Sequence, residues 1–319
     1  MIRLFKSCEP SPTLIEAIGP DWRIPSGTVW LDLVSPTRDE ELAVEREIGM
    51  QVPTREEMAA IEASSRLYRQ GAATYLTANL LYHTEAPLPL TGPVTFILSN
   101  GPLVTVRYTE PRAFKLLGEK LDREPDLCGG PILVLLNLFE AIVDRMADII
   151  QRTALEVESV SDDIFTPGHT NYERAIKRLG EAQHASARIA DSLNGIERAM
   201  TFLLLDERIE KDAEAREHLR TLSRDIQSLQ THIAGIGQSV SFQLNAALGL
   251  INIEQSGIIK IFSVAAVAFM PPTLIASIYG MNFDHMPELQ QPVAYPLVLG
   301  AMVVSALLPL WYFKRRGWL

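Results

Sequence analysis

The sequence is poor in cysteine: 319 residues contain two, Cys8 and Cys128, far apart and outside any CxxC pattern. That excludes a disulfide framework and a thiolate zinc site. It fits two free thiols in a reducing compartment. The six histidines are His83, His169, His184, His218, His232 and His285, with no HxH or HxxxH pair among them. A transition-metal site is therefore not indicated. The chain has no Walker loop, no GxSxG and no Rossmann fingerprint, which argues against an ATP-driven pump, a hydrolase, an organic cofactor and an enzyme in general. Lys and Arg total 29 against 39 Asp and Glu, a net charge of −10. A nucleic-acid partner needs clustered cations and is excluded on that ground. The opening MIRLFKSCEPSP has no apolar core and meets Pro10 and Pro12 at once, so no signal peptide is expected and the N-terminal part should stay in the cytoplasm.

Charge is scarcest near the C-terminus. Ile261–Phe283 and Leu289–Phe313 are uncharged apolar runs, separated by Asp284-His285-Met286-Pro287-Glu288. Each exceeds the roughly 20 residues needed to cross a bilayer. The short acidic link implies an antiparallel helical hairpin. Lys260 precedes the first run, Lys314, Arg315 and Arg316 follow the second, and the link holds no Lys or Arg. The positive-inside rule then puts both termini in the cytoplasm and the link outside, in a multi-pass protein of the inner or plasma membrane.

The rest of the chain is legible in outline. Residues 1–130 read as an α/β cytoplasmic domain. Strands are expected at Ile2–Phe5, Thr28–Leu33, Ala73–Leu80, Val94–Leu98 and Leu103–Tyr108, with Asn100-Gly101 as a hairpin signal. A helix opens at Ser35-Pro36-Thr37 and ends at Gly49. Another opens with Thr54 as N-cap and Glu57 at the capping-box position, and a third starts at Pro111. Residues 131–260 carry almost no strand signal and read as long helices. These are Leu133–Ile164, Tyr172–Leu205, and one from about Glu210 that meets no strong stop signal before Tyr279. Gly235, Gly237, Gly249 and Gly257 weaken that last helix without ending it. It would reach on the order of 100 Å, a stalk rather than a core helix, bundled with other copies. The apolar stripes along these helices read as ordinary packing. The fold class is α+β: cytoplasmic α/β domain, helical stalk, transmembrane helix 1 at 261–283, external loop at 284–288, transmembrane helix 2 at 289–313, and a basic tail at 314–319.

Counting back from Asn282 along the first span gives Ser277, Thr273, Met270, Ala266, Phe262 or Ser263, Ile259 and Ser256, roughly one helix face. It is hydroxylic at its outer end, apolar at Met270 and Phe262, and uncharged. Around an axis of several copies it would line a pore that closes by dewetting; as a lone span it would be an anchor with incidental hydroxyls. Pro272 should kink the helix by removing a donor to Ala268. Gly280 would supply a permissive C-terminal conformation, leaving last-turn carbonyls and the Asn282 amide to meet a cation. Asp284 and Glu288 would concentrate cations at the entrance, and His285 beside Asp284 could meet softer ions.

The string Tyr-Gly-Met-Asn-Phe at the end of the penultimate span, the Met286-Pro287-Glu288-Leu289 that follows, and the terminus YFKRRGWL resemble the CorA family of magnesium and cobalt transport proteins. So does PTREEMAAIEASSRLY at Pro53–Tyr68. The resemblance covers about 60 C-terminal residues and that short segment; Gln290-Gln291 departs from it, where many relatives have an aromatic residue. It implies a funnel-shaped homopentamer and a passive Mg²⁺ channel, with Co²⁺ also carried, closed by cytoplasmic Mg²⁺. It places Gly280, Met281 and Asn282 as the selectivity ring and Met270, with Phe262, at the gate. Regulatory metal ligands are suggested by chemistry alone: Asp206, Glu207, Asp212 and Asp225, each of which otherwise reads as a solvated stalk charge. The alternatives are a Zn²⁺, Ni²⁺ or Co²⁺ transporter on the same scaffold, and a membrane-anchored scaffold or signalling protein.

Overall fold

A computed structural model describes residues 1–7, 12–15, 22–86, 88–166, 171–282, 286–287 and 291–318. It divides into two compact units, Met1–Leu244 and Asn245–Leu319. In chain order the elements are β1 Ile2–Lys6, β2 Thr13–Ile15, β3 Thr28–Val34, α1 Arg38–Ile48, α2 Arg55–Met58, α3 Ala63–Arg66, β4 Leu67–Gln70, β5 Ala73–Tyr82, β6 Leu90–Leu98 and β7 Leu103–Arg107. Then come α4 Arg112–Arg123, a 3-10 turn Pro125–Cys128, α5 Pro131–Phe165, α6 Tyr172–Leu203, α7 Glu207–Glu210, α8 Ala213–Tyr279 and α9 Ala294–Arg315.

The seven strands form one mixed sheet in the order β2-β1-β3-β7-β6-β5-β4. Of the described neighbours, β3 and β7 run parallel, pairing Leu31 with Val104, and the others are antiparallel. All five expected strands are present. The two that sequence reading missed, β2 and β4, are three and four residues long and lie at the sheet edges, where so short a strand carries little pattern. One sheet face buries Leu4, Leu31, Leu33, Ile97 and Val104 with Val44 of α1 and Met58 of α2. The other holds an aromatic cluster in which Phe96 meets Phe114 of α4 and Phe139 of α5. Both faces are covered, so central strands are apolar nearly throughout.

The helix boundaries follow their chemistry. Thr37 caps α1 in a complete capping box with Glu40, and Gly49 ends it with φ of 68°. Thr54 and Glu57 form a second box, but α2 stops after four residues at Met58. The helix expected there is thus much shorter than its start signal suggested. Asp212 opens α8 by accepting from the Glu214 and Ala215 amides, so the helix begins slightly after the expected start. From there Ala215, Leu219, Leu222, Ile226, Leu229, Ile233, Ile236, Val240 and Gln243 recur at alternating steps of four and three and are buried or half-buried. That is a heptad seam. It packs α8 along α5, where His218 approaches Glu140, and along α6, where Gln230 bonds Asn194 and Glu197.

Two buried polar assemblies pin this unit. Asp32 of β3 and Arg107 of β7 pair at 2.9 Å, each 2% exposed. Arg107 also donates to the Thr109 carbonyl and lies over the Phe114 ring, while Asp32 accepts from Thr105, which in turn accepts from Trp30. Every partner is satisfied, which is the condition under which a buried pair is tolerated. The second assembly is Asp206. Far from being a solvated stalk charge, it is 3% exposed, caps α7, and accepts from Thr74 of β5 and from Arg208. Arg208 continues to the Leu98 carbonyl of β6. Those hydrogen bonds and the Arg208 charge outweigh the burial that opposes ionisation, and they hold the carboxyl far below its usual range.

Asp32→Ala, which strands Arg107, is expected to destabilise the protein by about 3–5 kcal/mol in urea titration, while Asp32→Leu with Arg107→Met costs much less. A single variant within about 1 kcal/mol of wild type would contradict the assigned role of the pair. For Asp206 the lowered pKa means its contribution is complete above about pH 4, the unfolded carboxyl's range, and fades as pH falls below it. Asp206→Asn should therefore lower Tm at neutral pH, and the gap from wild type should close on acidification below about pH 4. A gap independent of pH would refute it.

Candidate functional site

The apolar half of α8 and the whole of α9 form the second unit's helical pair. Among the described residues, α8 and α9 are the two helices long and apolar enough to cross a membrane. α8 runs without a break through Pro271 and Pro272. The carbonyls of Val267 and Ala268 consequently lack their usual donors.

Burial separates two faces of this helix. Gly257, Val264, Ala268, Pro271, Ile275 and Tyr279 are buried or half-buried, with Val264 at 3% and Ala268 at 7% exposure. On α9 the half-buried positions include Ala294, Val298, Met302, Ser305, Pro309 and Phe313, again one stripe. Tyr279 and Gly280 share a cavity of about 340 Å³ with Ala294, Tyr295, Val298 and Met302, so this is the contact side. At about 100° per residue, the expected pore face is centred roughly half a turn away. Ser256, Ile259, Phe262, Ala266, Met270, Thr273 and Ser277 are all exposed in the single chain. Phe262 is 72% and Met270 67% exposed, unusual for residues so apolar. No charged side chain lies on that face: Lys260 sits toward α9, its ammonium over the Trp318 ring. The Thr273 hydroxyl donates to the Phe269 carbonyl at 2.7 Å, leaving its oxygen lone pairs outward.

The end of the helix differs from the expectation in two ways. Gly280 does not take up a left-handed backbone. Its role is steric: a Cβ there would lie 3.0 Å from the Ala276 carbonyl oxygen, and the Gly280 amide donates to that same oxygen at 2.9 Å. The Ile278 carbonyl likewise accepts from Met281. Two last-turn carbonyls, those of Ala276 and Ile278, are thus already used, and Asn282 beyond them is exposed. The connection is also longer than the acidic link alone. It spans residues 280–293, and α9 begins only after Pro292. Asp284, His285 and Glu288 lie outside the described residues.

The four suggested regulatory carboxylates are not brought together. Asp206 is consumed by Arg208 and Thr74, Glu207 pairs with Lys211, and Asp212 caps α8. Asp225 is exposed on α8. Sequence reading missed its neighbour, Asp144 of α5, whose carboxyl is pushed up by burial and by Glu140, Asp148 and Asp225. Among the described residues no group of three or more His, Cys, Asp or Glu could hold a metal ion.

Comparison with known proteins adds the lineage. The family model for CorA-like Mg²⁺ transporter proteins matches residues 25–315. A magnesium transport protein CorA of Pasteurella multocida (strain Pm70) is 37% identical over 296 residues, spanning 92% of this chain and 93% of its own. The magnesium transport protein CorA of Escherichia coli (strain K12) is 36% identical over 293 residues, 91% and 92% of the two chains. Among solved structures, the complete CorA magnesium transporter from Methanocaldococcus jannaschii superposes with a TM-score of 0.80 at 20% identity, covering 100% of this chain and 99% of that one. The full-length CmaX protein gives 0.70 at 13% identity, covering 98% and 96%. The two structures establish the fold, an α/β sheet domain with a long helix and two C-terminal apolar helices. The sequence matches establish more: this chain belongs to the family of CorA-like Mg²⁺ transporter proteins.

Proposed function

We propose that the chain is a subunit of a passive divalent-cation channel that carries Mg²⁺ across a membrane. The observation that carries this reading is the pair of opposed faces on α8. One side is satisfied by α9; the other is exposed, uncharged, hydroxylic toward Asn282 and apolar at Met270 and Phe262. Copies arranged around an axis, a homopentamer by family resemblance, would enclose that second face as a water-filled path. Relatives named as magnesium transport proteins over more than nine tenths of both chains support Mg²⁺ as the cargo.

In this reading residues 1–260 are cytoplasmic, both termini lie inside, and Gly280, Met281 and Asn282 form the outer ring. Mg²⁺ sheds water reluctantly, so a ring of neutral amides can hold the hydrated ion loosely enough to release it. Asp284 and Glu288 draw cations to the mouth. Met270 and Phe262 close the path by dewetting, and Ser256, Ile259, Ala266, Thr273 and Ser277 line it. Membrane potential drives inward flow with about 4.6 kcal/mol per divalent ion per 100 mV. Closure by cytoplasmic Mg²⁺ remains part of the proposal, with Asp225 the one suggested carboxylate not already engaged.

The test is Mg²⁺ uptake into proteoliposomes loaded with a Mg²⁺ dye. Asn282→Ala should lower uptake by about tenfold or more, the equivalent of one hydrogen bond to a charged species. Met270→Asn, which wets the constriction, should raise uptake under conditions that close the wild type. Unchanged uptake in Asn282→Ala removes the selectivity ring from that position, and no uptake by the wild type removes the channel reading. Competition by Co²⁺, Ni²⁺ and Zn²⁺ in the same vesicles ranks the ions.

A further inference from the structure

The basic end of α9 is a folded structure rather than a loose tail. Lys314 and Arg315 are its last helical residues, and Gly317 follows with φ of 71°, a left-handed value that favours glycine. The Gly317 amide donates to the Lys314 carbonyl, and the Trp318 amide donates to the Phe313 carbonyl at 3.0 Å. This pair of bonds is the Schellman closure of a helix, and its usual apolar contact is present: Trp318 stacks on Phe313 with centroids 5.2 Å apart. The turn thereby carries Trp318 back to α8, where Lys260 lies over its ring. Arg315 lies over Trp311 and Arg316 over Tyr312. Three cations from the two helices and the cap, Lys260, Arg315 and Arg316, are thus placed over aromatic rings at one end of the apolar pair, with Lys314 next to them in the chain. The nearest described carboxylate in this unit is Glu254, six residues before Lys260 and about 9 Å along the helix.

We propose that this end is a binding site for the headgroup of an anionic phospholipid. The argument is charge complementarity at a fixed depth. Aromatic rings of Trp and Tyr settle at the headgroup level, and cations held over them face the phosphates of the same layer. The positive-inside rule accounts for the sign of these residues but needs no defined geometry. Here the cap, the ring stack and Lys260 from the other helix give one. The inference rests on the membrane reading above.

The full-length protein is reconstituted in phosphatidylcholine vesicles that contain a minor fraction of dibrominated phosphatidylglycerol or dibrominated phosphatidylcholine. Tryptophan quenching then reports which lipid sits beside Trp311 and Trp318. The brominated phosphatidylglycerol should quench the wild type more strongly, and added inorganic phosphate should not relieve it. Lys260→Gln, an exposed substitution, should lower that preference by about fivefold. Gly317→Ala keeps all four cations but strains the cap, and it should lower the preference as well. Equal quenching of the wild type by the two lipids overturns the proposal. So does an undiminished preference in Gly317→Ala, which would reduce the effect to charge alone. Quenching by neither lipid places this end away from a bilayer and overturns the membrane reading itself, whereas equal quenching leaves that reading intact.

Discussion

Two helices cannot cover each other all the way round. α8 and α9 share one stripe each, and everything else on the pair stays exposed in the single chain. Outside a membrane or an assembly, that much apolar surface is a liability. The composition of what is left over overlaps between the two helices, since α8 also exposes Ile261, Phe269 and Leu274, and differs on one face of α8. The exposed residues of α9 include Leu297, Leu299, Val303, Val304, Leu307 and Leu308, a surface suited to lipid. Its Ser305 lies on the contact stripe and bonds the Met302 carbonyl. The exposed face of α8 instead mixes Ser256, Thr273 and Ser277 with Phe262 and Met270. Hydroxyls are tolerable in lipid because they can return to the backbone, as Thr273 does. Three on one face of α8 fit the proposed water-facing side. On the channel reading proposed above, lipid falls to α9 and the path to α8.

The same helix meets a different demand in its first half. There the seam from Ala215 to Gln243 follows a heptad spacing against α5 and α6, where burial is joined by the bonds of Gln230 and the approach of His218 to Glu140. Apolar contact such as Phe139 on Phe96 seats that layer on the sheet, and buried polar groups add direction. Asp206 and Arg208 tie the turn between α6 and α8 to β5 and β6, and Asp32 with Arg107 ties β3 to β7. Apolar packing tolerates sliding along a seam, whereas a buried carboxylate with named donors does not. The two clamps therefore set register where the seam does not.

Legibility from sequence tracked how local each signal was. The helix start at Ser35-Pro36-Thr37, the capping box at Thr54, the Asn100-Gly101 turn and the long helices were all readable, because each rests on neighbours a few residues apart. Edge strands β2 and β4 were not, since their pairing depends on partners supplied by the rest of the sheet. Asp206 looked like one more charge on a helix. Its donors, Thr74 and the Arg208 that reaches Leu98, come from more than 100 residues away in sequence or fold back from the next turn, and nothing local announces them. Gly317 followed by Trp318, with Phe313 four residues before the glycine, did carry a readable capping pattern. It was masked by the conspicuous charges beside it, which invited the simpler description of a tail. That the proposed path residues share one exposed face of α8 follows from helix periodicity, a local property.

In the proposed channel, where copies of Asn282 form a ring, the chemistry required of it follows from symmetry and charge together. In one chain, replacing an amide by a carboxylate adds one negative charge; in a ring of copies it adds one per subunit at nearly the same point. Carboxylates so placed would repel one another, raise their own pKa values and grip a divalent ion strongly. A passing ion must bind well enough to enter and weakly enough to leave. Neutral amides meet that condition, and they leave the first hydration shell of Mg²⁺ in place. Gly280 serves the same end by a different route. Without a Cβ it lets the chain turn close against the Ala276 carbonyl, so the helix ends abruptly and Asn282 follows within two residues. A bulkier residue would have to move that carbonyl or displace the turn. Placement and neutrality are then two halves of one requirement, and neither residue satisfies it alone.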